Sequence, residues 1–130
     1  MEGFSAGYSS PVPDDQTAVD QMFMDAALAE ASASRRQGGV PVGAVLADCN
    51  GVTLGSGYNE RVQKSDATAH GEISCLRNAG RRASYAGLTL YTTLAPCHMC
   101  TGAVLLFKIP RLVIGENANF VGDIPRLLSS

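Results

Sequence analysis

Residues 88–108 read LTLYTTLAPCHMCTGAVLLFK, and the passage from strand to helix inside this stretch decides the fold. Leu88 to Leu94 is rich in β-branched and aromatic residues, which predicts a buried strand. Pro96 pre-sets the first turn of a helix that continues through Cys100 and Leu105 to about Lys108. Arg111 to Gly115 then predicts a further short strand. Working upstream, a helix is predicted from near Ala69 to Arg82, with Ile73, Leu76 and Ala79 or Gly80 on one face. Before it come a polar loop, Glu60 to Thr68, and a β-hairpin. The hairpin pairs Val40 to Cys49 with about Val52 to Asn59, turning at Asn50-Gly51.

The first helix is predicted to start near Asp14 or Asp15, where acidic residues favour the end. Val19, Met22, Phe23, Ala26, Ala27 and Ala33 would form its apolar stripe, and Gly38-Gly39 would stop it. The order α, β-hairpin, α, β, α, β predicts an α/β fold, a sheet flanked by helices. Residues 1–13, rich in Gly, Ser and Pro, read as a flexible tail, and 14–130 as a single domain.

A chain of 130 residues with 45% hydrophobic content can bury a core, which argues against wholesale disorder. Its formal net charge of -2 argues against a partner gripped mainly through phosphates. Arg35-Arg36 and Arg81-Arg82 read as solvated helix ends rather than a nucleic-acid patch. The longest apolar run, Ala103 to Phe107, is far too short to span a membrane. Met1 to Ser10 does not read as a secretory signal, so the expected compartment is reducing and cytoplasmic. Cys49 and Cys75 read as ordinary turn and core residues.

His70, Cys97 and Cys100 carry the chemistry. Cysteines three apart at a helix start project to nearly one side, and the electropositive terminus favours thiolates. One imidazole and two thiolates fill three corners of a zinc tetrahedron and leave the fourth for water, the pattern of a catalytic site. His98, inside the cysteine pair, should point away. Glu72 follows His70 by two residues; helical spacing alone does not bring the two to one side, but both can border one cavity at a first turn. A carboxylate beside metal-activated water can take its proton and hand it on. His70-Gly71-Glu72 with Pro96-Cys97-His98-Met99-Cys100 matches both halves of the zinc nucleobase-deaminase signature. A redox cysteine pair or a structural zinc knuckle remains the plainer reading of the cysteines alone.

His70-Gly71-Glu72-Ile73-Ser74 and residues 89–103 resemble the fungal-type cytosine deaminases of the cytidine deaminase superfamily. The likeness extends through 38–43, 57–59 and 115–120 and covers most of residues 15–121. Gly71 belongs to it, since relatives acting on guanine or tRNA adenosine usually carry Ala there. The resemblance implies a three-layer αβα sandwich around a central mixed sheet, a homodimer, one zinc ion per chain, and hydrolysis of cytosine to uracil and ammonia. It makes His70, Cys97 and Cys100 the zinc ligands and Glu72 the proton shuttle. Asn59 would hydrogen-bond the ring edge and Phe120 would stack on the base. Val42, Gly71, Leu94 and Ala95 would line the pocket.

Family members continue past the position of Phe120 with a further strand and a C-terminal helix. Nothing after Phe120 matches these here, so the domain is expected to lack that segment. The alternatives are a deaminase of guanine, a nucleoside, another aminated heterocycle or a tRNA adenosine, and a non-catalytic, zinc-stabilised dimer. A small-molecule substrate is expected, with no membrane and no nucleic-acid partner.

Overall fold

The computed structural model describes residues 15–115. Helix α1 spans Gln16–Arg36 and opens on Asp15, whose carboxylate accepts the Thr17 N–H at 2.9 Å. It closes through Gly38, which takes a left-handed φ of 83° that a side chain would resist. The buried face is Phe23, Met24, Ala27, Ala31 and Ser34. It keeps Phe23 and Ala27 of the predicted stripe, while Met22 and Ala26 face solvent. The stripe is displaced because alanines occupy several faces of this helix, so apolar spacing alone does not fix its rotation.

Strands β1 (Gly43–Ala47) and β2 (Thr53–Tyr58) form the expected hairpin. Its turn is longer than a two-residue one. The Asp48 carbonyl accepts from Gly51 N–H, and the Asp48 carboxylate accepts from the N–H groups of Asn50 and Val52. Gly51 alone in this turn has positive φ, so the mirror-image turn that Asn-Gly favours does not form.

Helix α2 covers Gly71–Ala79, shorter than predicted at both ends, and Arg81-Arg82 lie beyond its Gly80 stop. Strand β3 is Thr89–Thr92, helix α3 is His98–Leu106 and strand β4 is Arg111–Ile114. Cys97 caps α3, which places Pro96 just outside the helix rather than in its first turn.

The sheet order is β2-β1-β3-β4. β1 pairs antiparallel with β2 and β3, and β3 pairs parallel with β4 across the α3 connection, so the sheet is mixed. Both faces are covered. Val45, Ala47 and Tyr91 pack on Phe23, Met24 and Ala27 of α1, whereas Ala44, Leu46 and Leu90 pack on Cys75, Leu76 and Val104 of α2 and α3. Every residue of β1 is buried, as expected of a strand covered on both sides. This is the three-layer αβα arrangement.

Two glycines let helix backbones sit directly on the sheet. A Cβ at Gly43 would strike the Ala27 carbonyl and the Ala31 nitrogen, and one at Gly57 would meet the Cys75 nitrogen at 2.5 Å. No described helix is long and apolar enough to cross a membrane. The expected tail at 1–13, the base-stacking Phe120 and the C-terminal segment lie outside the described residues.

Candidate active site

Two helix starts meet here. His70 is the N-cap residue of α2 and Cys97 that of α3, both in extended backbone and neither capping its helix with its side chain. Because His70 stands outside the helix, the half-turn between it and Glu72 does not separate them as it would along a regular helix. Cys100 lies one turn into α3 and is fully buried.

The ligand atoms of His70, Cys97 and Cys100 lie within 4.8 Å of one another, with Cys97 Sγ 3.5 Å from His70 Nδ1. In a tetrahedral zinc site with metal–ligand distances of about 2.0 Å (N) and 2.3 Å (S), S···N edges are about 3.5 Å and S···S edges about 3.8 Å. The observed edge fits. Among the described residues no further His, Cys, Asp or Glu joins the group, so zinc would have three protein ligands and one open position. His98 is exposed at the start of α3 and is not part of it.

The electrostatics suit a cation. Burial lowers the affinity of His70 for a proton, and nearby Arg61 adds to this, leaving the neutral imidazole that a metal requires. Burial pushes the Cys100 thiol far up, and the negative charge of Glu72 and Cys97 pushes it further. A divalent cation supplies the positive charge that lets such thiols ionise.

Glu72 is 4% exposed. Burial raises its carboxyl above the usual range, against the opposing pull of its own backbone N–H, the Cys100 thiol and the Thr92 hydroxyl. Thr92, fully buried, also donates to the Leu94 carbonyl at 3.0 Å. Sequence reading passed over Thr92 and Arg61. Period-two alternation along β3 carried a signal for Thr92, because it puts residue 92 on the same face as Leu90, the face α2 covers.

Val42 links the remaining residues. Its carbonyl accepts the Asn59 N–H at 2.9 Å, and a Cβ on Gly71 would meet that carbonyl at 3.0 Å and Val42 Cγ1 at 3.4 Å. Asn59, Val42 and Gly71 are therefore neighbours, all buried, at the start of α2. Leu94 is half-buried and Ala95 buried in the segment leading from β3 to Cys97.

The family model of the cytidine and deoxycytidylate deaminase zinc-binding region matches residues 17–116. The chain is 47% identical over 106 residues to the cytosine deaminase of Candida albicans, covering 80% of this chain and 71% of that one. It is 43% identical over 108 residues to the tRNA-specific adenosine deaminase of Haemophilus influenzae, covering 81% and 62% respectively. The structure is similar to that of guanine deaminase from Bacillus subtilis, with a TM-score of 0.67, 28% identity, and coverage of 72% and 62%. In these last two the match spans less than two thirds of the relative. Its matched region contains the whole histidine–cysteine group, and on that footing this chain belongs to the cytidine and deoxycytidylate deaminase family with its zinc-binding region.

Proposed function

We propose that the protein hydrolyses a free nucleobase, cytosine, to uracil and ammonia, and that it works in the cytoplasm as a homodimer. The observation that carries the reaction type is the buried Glu72 carboxyl beside Cys100 in a site with an open metal position. A purely structural zinc site has no use for that carboxylate. Zinc held by His70, Cys97 and Cys100 supplies the Lewis acidity that makes water nucleophilic near neutral pH.

Glu72 moves the protons. Its carboxylate takes one from the attacking water and delivers it to the ring nitrogen beside the amine-bearing carbon. It then takes the proton of the newly added hydroxyl and passes it to the departing amine as the carbonyl forms and the C–N bond breaks, so water and cytosine become uracil and ammonia. Burial favours the protonated carboxyl, the form that donates. Asn59 holds the ring edge, and Val42, Gly71, Leu94 and Ala95 wall the pocket.

Two observations support cytosine over a tRNA adenosine. The cytosine deaminase likeness is 47%, against 43% for the tRNA enzyme. Gly71, part of the resemblance to the cytosine deaminases, fits a place where a Cβ would come within 3.0 Å of the Val42 carbonyl. The homodimer reading is supported by α3, whose apolar Met99, Leu105 and Leu106 are exposed. Beside them lies an open cavity of ≈ 570 Å³ whose lining includes the apolar Ile73, Leu106 and Phe107 together with the cationic Arg77, Arg81 and Arg82.

The test is ammonia release by the zinc-loaded chain given cytosine, cytidine, guanine, adenine and tRNA separately. Release from cytosine alone upholds the reading. Release from guanine, adenine or tRNA instead keeps the chemistry and overturns the substrate. Silence across the panel with zinc bound favours a non-catalytic zinc-stabilised dimer.

A further inference from the structure

Ser34 sits in the last turn of α1, far from the metal ligands in sequence, and is fully buried. Its hydroxyl donates to the Asn59 backbone carbonyl at 2.5 Å and accepts from Gln63 Nε2 at 3.1 Å. The same Gln63 nitrogen reaches Gln37 Oε1 at 3.4 Å. Gly39 leaves the room for this, since a Cβ there would come within 2.5 Å of the Ser34 hydroxyl and collide with the Gln63 amide. Asn59 is held at two other points as well. Its N–H donates to Val42, and its Oδ1 accepts the Arg61 N–H at 3.1 Å. Val42 is in turn packed against Gly71. Only an oxygen can face the Arg61 N–H, so the amide's orientation is fixed and Nδ2 is its free end. Among the described residues Nδ2 has no partner.

We propose that Ser34 is a positioning residue for Asn59: its hydroxyl, oriented by Gln63, pins the Asn59 backbone so that the amide NH2 is presented to the substrate as a donor. This rests on the deaminase reading, which assigns Asn59 to the substrate edge. A carbonyl at the mouth of an exposed loop would otherwise be free to turn, carrying the side chain with it. The buried hydroxyl removes that freedom without touching substrate.

The experiment compares wild type, Ser34→Ala, Asn59→Ala and the double variant in zinc content, melting and cytosine deamination. Loss of one neutral hydrogen bond should raise the KM for cytosine about fivefold in Ser34→Ala, with kcat and zinc content nearly unchanged. In the Asn59→Ala background the same substitution should add almost nothing, because a residue acting through another has no effect once that other is gone. Equal factors in both backgrounds, or an unchanged KM, overturn the proposal. If Asn59→Ala does not fold, Gln63→Ala takes its place and should raise KM in the same way; an unaltered KM there counts against it. If wild type is silent on cytosine, the substrate reading fails on its own. The positioning role is then decided by the Asn59 side-chain amide resonances, which should shift or broaden in Ser34→Ala and overturn the inference if they do not.

Discussion

Arg111 grips both carboxylate oxygens of Asp20, 91 positions earlier in the chain, at 2.7 and 2.5 Å. Tyr91 donates its hydroxyl to the same carboxylate at 2.7 Å. One acid on α1 thus ties together β3 and β4, the two strands whose connection carries the cysteines. The geometry is a two-pronged fork, the strongest form of carboxylate recognition.

The cluster gives stability a limit on each side of neutral pH. Arg111 holds the Asp20 carboxyl well below the usual carboxylate range, so its contribution is complete above about pH 4 and is lost as pH falls through the depressed value. Burial, with the Asp20 hydrogen bond, pushes Tyr91 up to about 12, so its contribution is complete below the ordinary tyrosine value of about 10 and is lost as pH rises from there. Asp20→Asn should cost about 1 kcal/mol, since Arg111 is partly solvated. Melting curves across pH should show a flattened acid limb and a softer alkaline limb in the variant; superimposable profiles would contradict this account.

The metal group and the proton carrier should separate cleanly. Metal analysis should find one zinc per chain in wild type and Glu72→Gln, and little in Cys100→Ala or His70→Ala. Turnover in Glu72→Gln should fall by roughly 10²–10⁴. A Glu72→Gln enzyme that keeps both zinc and normal turnover would remove Glu72 from the chemistry.

Gly57→Ala tests how closely α2 rests on the sheet. The new methyl would meet the Cys75 nitrogen at 2.5 Å and the Ser74 carbonyl carbon at 2.7 Å, all backbone and unable to swing aside. The helix must lift, at about 1–3 kcal/mol, and Glu72 rides on it. Both the melting temperature and kcat should drop, and an unaltered Tm would show that the seam is looser than described.

Leu106 is 73% exposed on α3, beside the half-exposed Phe107. If a second copy covers this face, Leu106→Glu should shift the sedimenting species from dimer to monomer at micromolar concentration, with zinc content retained. A wild-type chain that sediments as a monomer would dismiss the dimer outright.

Much of this was legible in the sequence. The element order, the strand-to-helix passage around Pro96 and the ligand trio follow from local periodicity and spacing, which the structure reproduces with ends shifted by a few residues. The rotation of α1 was not legible, because Ala26, Ala27, Ala31 and Ala33 offer no contrast between faces. Nor was the pairing of Asp20 with Arg111 or of Ser34 with Asn59. These join positions 91 and 25 apart, and nothing along the chain marks which polar residue the fold brings against which. Glu72 fell between the two. Its residue type signalled chemistry, but only the structure shows its carboxyl beside Cys100.

His70 and Cys97 are 27 positions apart and belong to different strand–helix units. An ion held between them acts as a removable cross-link across that span, and it restricts the unfolded chain only while both ends are ligated. The ion would fasten the start of α2 to the start of α3, two helices that cover the same face of the sheet. A chelator would then remove a tie between two parts of the fold as well as the chemistry.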